Sequence, residues 1–199
     1  MVYSLAYQPK PSSWPDVRQI GGDTDLLPLE DPTPDGGVSL IVGRYFSGRR
    51  LVANDAPKQV LWASKRKLLD YESSRMINVS ARFRDLIEEI EPGIHQFIPV
   101  EFVAKDGSLL GTRWFWQVCN RLDSVHRGLT NWTMFESGSA WREPNVPGAE
   151  FIFNLDAIGQ CKFWHDKHIS SGRYVTDEVK ARIDRAGMTG LRYYRYEQA

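Results

Sequence analysis

The sequence is poor in cysteine and has no long hydrophobic run. Its 199 residues include two cysteines, Cys119 and Cys161, which are too few for a disulfide-rich scaffold and favour a reducing compartment. No stretch approaches the roughly 20 apolar residues that a membrane-spanning helix needs. Residues 1–10 lack the basic and apolar regions of a secretion signal. These absences predict a cytoplasmic protein that has no membrane partner.

Charge of one sign is not in excess either. The chain has 25 lysine and arginine residues against 25 aspartate and glutamate residues. A general nucleic-acid binder needs a basic excess to neutralise phosphates, and we therefore expect no nucleic-acid partner. Gly-rich phosphate loops, nucleophile elbows and the H-E-x-x-H zinc motif are also missing. The sequence accordingly predicts neither a cofactor nor a resident metal.

Apolar residues, in contrast, are plentiful enough for a core, since 42% of the chain is hydrophobic and 12% is aromatic. The clearest predicted element is a helix at about residues 81–91, with Ser80 as its N-cap and Pro92-Gly93 as its stop signal. Four of its residues recur at the spacing that forms one apolar stripe: Phe83, Leu86, Ile87 and Ile90.

After this helix the pattern becomes that of an antiparallel hairpin. Residues 95–103 and 109–118 are rich in β-branched and aromatic side chains. Asp106-Gly107 between them is typical of a type I′ turn, which joins two antiparallel strands. One face of the second strand is entirely apolar, and we expect it to pack against the helix stripe.

Shorter signals complete the predicted fold. Thr176 caps a second helix at about residues 177–186, and Gly187 ends it. We predict an α+β fold of mostly antiparallel strands with a few packed helices. Further strands are predicted at 2–7, 38–45, 150–155, 160–165 and 191–196.

Composition divides the chain near residue 75. Residues 9–34 are rich in proline and acidic side chains, which is typical of an irregular, solvated loop, whereas residues 49–67 are basic. We predict an N-terminal lobe, residues 1–75, that contains this irregular acidic loop. Residues 76–199 are predicted to form a second lobe of helix, hairpin, strand and helix.

Two groups of residues are candidate partner contacts. Four carboxylates of the acidic loop can form a surface that meets a basic partner, although a merely solvated loop has the same composition. Tryptophan and arginine anchor many interfaces, and three such residues lie in a segment without clear periodicity. The two indoles can alternatively be buried in the hydrophobic core. The predicted contacts are Asp23, Asp25, Glu30, Asp31, Trp132, Trp141 and Arg142.

One group of residues offers an enzymatic alternative. Cys161, His165 and His168 carry a thiol and two imidazoles, and three such ligands plus water form a catalytic zinc site. The spacing C-x3-H-x2-H matches no established zinc motif, and a fourth ligand is not evident. The competing interpretation is a packed cysteine with surface histidines. A small metal- or thiol-dependent enzyme is thus the second functional hypothesis.

Several longer motifs resemble one bacterial family. These motifs resemble immunity proteins that are encoded beside polymorphic toxins, a family first catalogued as a domain of unknown function. The resemblance covers about residues 60–195. The motifs are V-S-A-R-F-R-D-L-I-E at 79–88, E-P-G-I-H-Q-F-I-P-V at 91–100, N-R-L-D at 120–123, F-W-H-D at 163–166, V-T-D-E-V-K at 175–180 and G-M-T-G-L at 187–191.

This resemblance implies a function that composition and periodicity do not indicate. An immunity protein binds a cognate toxin and blocks it in the cell that makes it, which requires shape and charge complementarity but no catalysis. The resemblance transfers no catalytic residue to this chain. We therefore expect a toxin-binding protein that is not an enzyme.

Overall fold

The computed structural model describes residues 1–8, 16–42, 44–142 and 150–199. These residues form α-helices and many short strands, which confirms the predicted α+β fold. The α-helices are α1 Ser39–Val42, α2 Ala81–Ile90, α3 Leu155–Ile158 and α4 Asp177–Arg185. The strands are β1 Val2–Tyr7, β2 Val17–Ile20, β3 Gln59–Trp62, β4 Tyr71–Ser74, β5 Met76–Val79, β6 Gln96–Val103, β7 Leu109–Gln117, β8 Arg121–Leu122, β9 Thr133–Met134, β10 Trp141–Arg142, β11 Ile152–Phe153, β12 Phe163–Asp166, β13 Tyr174–Thr176 and β14 Leu191–Gln198.

Six strands form the first sheet, in the order β2-β3-β6-β7-β5-β4. Its neighbouring strands are antiparallel except for the parallel pair β3 and β6. β6 and β7 form the predicted hairpin, whose register runs from Gln96 opposite Gln117 to Val103 opposite Leu109. This hairpin therefore occupies the centre of the first sheet.

The turn of this hairpin is not of the predicted type I′. Gly107 has a φ of 83°, but Asp106 does not enter the left-handed region. The Gly107 amide donates to the Ala104 carbonyl at 3.0 Å, and the Ala104 amide donates to the Ser108 carbonyl at 2.8 Å. Because the loop is longer than two residues, one left-handed glycine is sufficient to reverse the chain.

The second sheet has the strand order β11-β14-β1-β13-β12-β8. The N-terminal strand β1 lies between β14 and β13 and is antiparallel to both. Strands from both sides of residue 75 thus enter each sheet. The division into lobes at residues 1–75 and 76–199 stays a prediction, although each sheet contains strands from both lobes. A small third sheet pairs β9 with β10.

Both predicted helices are confirmed, and local capping sets their ends. The Ser80 hydroxyl accepts from the Phe83 amide at 3.3 Å at the start of α2, and Gly93, with a φ of 69°, follows its end. The Thr176 hydroxyl accepts from the Val179 amide at 3.5 Å at the start of α4. None of the helices in the described ranges is long and apolar enough to cross a membrane.

The described part of the segment predicted as a strand at residues 38–45 is helical instead, and Gly43 lies outside the described residues. It contains α1 and a 3-10 helix at Arg44–Phe46. A short apolar run does not distinguish a strand from a helix by periodicity, and here tertiary contacts decide. The Gln117 side-chain amide of β7 donates to the carbonyls of Arg44 at 3.2 Å and Arg49 at 2.8 Å.

The predicted irregular loop at residues 9–34 is partly ordered by pairing. β2 pairs with β3 along its four residues, and a 3-10 helix forms at Thr24–Leu26. Residues 9–15 of the predicted loop lie outside the described residues. Further along the loop, Leu29 forms a β-bridge with Leu51, and the Leu51 backbone is hydrogen-bonded to the Gln96 side chain of β6.

The buried apolar residues form three clusters. The first cluster joins both sheets and both long helices through residues such as Phe83, Trp116 and Val179, and this confirms the packing predicted for the α2 stripe. The second cluster covers the other face of the first sheet around Phe102. The third cluster lies on the second sheet around Trp164. The first cluster is therefore what connects the two sheets.

Candidate functional site

Glu91 connects the end of α2 to β12. Its carboxylate accepts hydrogen bonds from the backbone amides of Lys162 at 2.8 Å and Phe163 at 3.1 Å. The Asn120 side-chain amide also donates to it, 3.3 Å from each oxygen. The Glu91 side chain is only 11% exposed, so these donors replace the water that an exposed carboxylate would bind. Three of the recognised motifs therefore meet at this residue.

His95 completes the same cluster. Its Nδ1 accepts from the Cys119 amide at 3.2 Å, so the proton of the neutral ring lies on Nε2. Nε2 is 2.8 Å from a Glu91 oxygen and donates to it. The ring also packs edge-on against Phe163, with centroids 5.4 Å apart. The E-P-G-x-H motif therefore holds β12 against the end of α2.

Asp166 organises a second buried cluster at the other end of β12. Its carboxylate accepts from the Ser124 amide at 2.7 Å, the Ser124 hydroxyl at 2.9 Å and the His168 amide at 2.8 Å. The Trp164 indole donates to the Ser124 hydroxyl at 3.0 Å. Burial raises the pKa of Asp166, and the hydrogen bonds oppose that rise. This cluster fixes the chain that leads from β12 towards the cleft described next.

A cleft of about 1320 Å³ is lined by β1 and β14 of the second sheet and by part of the 132–141 segment. Its lining combines many aromatic rings with a few charged side chains. The charged residues that line it are Arg173, Arg195, Glu150 and Glu197. The rings used in the arguments below are Phe46, Tyr71, Trp132, Phe135, Trp141 and Tyr194.

Comparison with protein families identifies the chain. The sequence profile of the Immunity protein family (Imm11) matches residues 19–198. The chain belongs to this family. The match includes the Glu91 and Asp166 clusters and most of the cleft, and it confirms the resemblance to immunity proteins. No curated protein matches the chain.

The acidic residues predicted as partner contacts of this Imm11 protein are largely engaged in internal ion pairs. Asp23 and Asp25 lie 2.9 Å and 3.3 Å from the Arg75 guanidinium, and Asp31 lies 3.4 Å from that of Arg49. Glu30 is exposed and takes part in none of the ion pairs found within the described ranges. Their contact with a partner stays a prediction.

An ion pair that the sequence did not indicate anchors the end of the acidic loop. Asp35 accepts from Arg121 at 2.6 Å and 2.7 Å, and Arg121 is 8% exposed. The Arg121 hydrogen bonds hold the pKa of Asp35 well below its usual range. Arg121 belongs to the N-R-L-D motif, so this family motif also fixes the position of the loop.

The predicted aromatic contacts line the cleft but differ in exposure. Trp141 is 9% exposed and lies in the third core cluster, as expected for an indole that is buried in the core. Trp132 is half-buried and stacks on Phe151, with centroids 4.0 Å apart. Arg142 is exposed, and its guanidinium lies 4.7 Å from the centre of the Phe135 ring. Partner binding by these three residues stays a prediction.

The residues of the enzymatic alternative have separate environments. His165 is 1% exposed and His168 is 5% exposed, so the expectation of surface histidines is wrong. His165 Nδ1 donates to the Gly172 carbonyl at 2.5 Å, and burial holds the pKa of its ring well below the usual value. Burial raises the pKa of the Cys161 thiol. Within the described ranges, no group of three or more His, Cys, Asp or Glu side chains is arranged to hold a metal ion.

Arg173 is the cleft residue that sequence reasoning missed. It directly precedes β13 and is 5% exposed. Arginine is rarely buried, and the surrounding S-S-G-R-Y sequence is typical of an exposed turn. The burial arises because Phe46, from a distant part of the chain, covers the guanidinium at 4.8 Å. No local pattern predicts that contact.

Proposed function

We propose that this Imm11 protein binds a cognate toxin and neutralises it in the cytoplasm of the producing cell. The family match over residues 19–198 carries this proposal. Neutralisation by binding requires a stable scaffold and a complementary surface, and it requires no catalytic residue of the inhibitor. The capped helices and the two buried carboxylate clusters supply such a scaffold.

We further propose that the acidic loop steers the toxin during association. Glu30 carries an exposed charge, and Asp23, Asp25 and Asp31 remain near the surface although arginines partly neutralise them. A surface of one charge attracts a basic partner over about a Debye length and raises the association rate. A toxin that acts on nucleic acids carries such a basic site.

Purified components test the proposed function. The toxin domain encoded beside the gene of this protein is mixed with increasing amounts of the protein, and both complex formation and toxin activity are measured. We expect a stoichiometric complex and loss of toxin activity at one equivalent. Full toxin activity in the presence of a large molar excess would contradict the proposal.

The steering role makes a kinetic prediction. Changing Asp23, Asp25 and Asp31 to Asn and Glu30 to Gln should slow association roughly tenfold at low salt, because the attractive charge is removed. The association rate of the variant should also depend less on salt concentration. Surface plasmon resonance at two salt concentrations measures both effects, and a melting curve checks that loss of the Arg75 and Arg49 ion pairs leaves the fold intact.

A matched control separates this local effect from net charge. Four exposed carboxylates outside the loop, when neutralised together, change the net charge by the same amount and should leave the association rate within about twofold of the original. Equal slowing by both variants, or by neither, would remove the acidic loop from the interface. The control residues are Asp85, Glu89, Glu101 and Asp184.

A further inference from the structure

Arg173 carries a buried charge without a carboxylate partner among the described residues. Its guanidinium lies beside the Tyr71 hydroxyl and over the Phe46 ring, while its Nε has no hydrogen-bond partner. None of the ion pairs in the described ranges includes it. Burying an ionised group is costly unless an opposite charge accompanies it. An anion bound beside Arg173 would therefore supply the negative charge that the site lacks.

Two other largely buried arginines of this chain pair with carboxylates, whereas the buried Arg113 is held by the Asn78 side chain and by the backbone carbonyls of Leu69 and Asp70. Arg66 is bonded to the fully buried Glu72 carboxylate at 2.8 Å and 3.0 Å, and Arg121 is bonded to Asp35. In both cases the carboxylate compensates the charge within the protein. Arg173 differs from Arg66 and Arg121 in that its neighbours are a phenol and an aromatic ring, which do not supply a negative charge.

The cleft that Arg173 lines has the size of a site for a protein segment. Its volume of about 1320 Å³ exceeds the roughly 300–1,000 Å³ of sites that enclose small molecules. Its walls also have the composition of a protein interface, in which aromatic residues and arginine are enriched. Two of its rings are substantially exposed, Phe135 at 41% and Tyr194 at 46%, so they offer apolar area to a partner.

We propose that this cleft receives a segment of the toxin that carries an aspartate or glutamate, and that Arg173 pairs with its carboxylate. Phe135, Trp132 and Tyr194 contact the apolar side chains that flank the carboxylate. The inference rests on the proposed function, since the toxin is the partner that supplies the segment. In this proposal the contacts that contribute most to affinity lie beside the second sheet. The acidic loop instead contributes to the association rate.

The substitution Arg173→Gln tests the pairing directly. Glutamine keeps a donor for the Tyr71 hydroxyl but removes the charge, so the free protein should melt within a few degrees of the original or at a higher temperature. The Kd for the toxin domain should rise roughly 30-fold or more, as expected when one partner of a buried ion pair is removed. Isothermal titration calorimetry measures the Kd, and the exposed Arg185→Gln supplies the same change of charge as a control.

Two further measurements keep the test decisive. Tyr194→Ala changes a side chain that is 46% exposed, so the fold is retained, and it should weaken binding roughly tenfold or more. Among single Asp→Asn and Glu→Gln variants of the toxin, one should weaken binding to the original protein and have little effect on binding to Arg173→Gln. Such coupling identifies the paired carboxylate.

The outcomes separate this inference from the proposed function. If the original protein binds the toxin and both variants bind with the same Kd, the cleft is not the contact surface, although the proposed function stands. A lower melting temperature of Arg173→Gln with an unchanged Kd would show that Arg173 has only a structural role. If the original protein forms no complex with the toxin, the proposed function fails and this inference fails with it.

Discussion

Replacing Ile87 with aspartate should cause the largest loss of stability. Ile87 is completely buried in the first core cluster, which joins α2 and α4 to both sheets. The substitution removes apolar contacts and places a carboxylate where no partner is available. We expect a loss of more than about 4 kcal/mol, against a typical total stability of about 5–15 kcal/mol. Thermal and urea unfolding followed by circular dichroism measure the loss.

The same change at an exposed isoleucine provides the control. Ile94 lies just after α2 and is 42% exposed, so Ile94→Asp leaves the new carboxylate in water. Its cost should stay below about 1 kcal/mol. If Ile87→Asp melted within a degree of the original protein, the packing of the α2 stripe would be refuted.

Replacing Glu91 with glutamine should cause the second large loss of stability. Glutamine has nearly the same shape, but one of its two terminal groups is a donor and must face the donors that now bind the carboxylate. The amides of Lys162 and Phe163 and the His95 ring then compete for one acceptor. Hydrogen bonds to charged groups are worth about 1.5–3 kcal/mol each, and we expect a total loss of about 3 kcal/mol. For a chain of this size, that loss lowers the melting temperature by roughly 6–12 °C.

A neighbouring glutamate on the same helix separates this effect from a general loss of charge. Glu89 is 69% exposed and pairs with Arg182 on the surface, where an ion pair contributes about 0–1 kcal/mol. Glu89→Gln should therefore lower the melting temperature by a few degrees at most. Equal effects of the two substitutions would show that Glu91 does not hold β12 in place.

The sequence predicts well those elements whose signals are local. The bounds of α2 follow from the Ser80 cap, the apolar stripe and the Pro92-Gly93 stop, all within a few residues of one another. The β6–β7 hairpin is found for the same reason, although a longer loop replaces the predicted turn. The failure at residues 38–45 has the opposite cause, because side chains of β7 and other distant residues decide the conformation of that segment.

The candidate sites depend on long-range contacts, and this limits their prediction. Glu91 lies among several acidic residues at the end of α2, and nothing near it in the sequence indicates the amides of Lys162 and Phe163 that it binds. Composition indicates the acidic loop, but it does not indicate the ion pairs of that loop with Arg75 and Arg49. Trp132 lines the cleft, but its contact with a partner stays a prediction, whereas Arg173 has no sequence signal, since its burial depends on Phe46.

Growth of cells that produce the toxin is the most direct test that this Imm11 protein neutralises it. The toxin domain is expressed from an inducible promoter with either the protein, its Ile87→Asp variant or an empty vector, and colonies are counted. We predict that the protein restores growth to the level without toxin and that the variant does not. Unchanged killing by the toxin, while the folded protein is present in at least equal amount, would contradict the account.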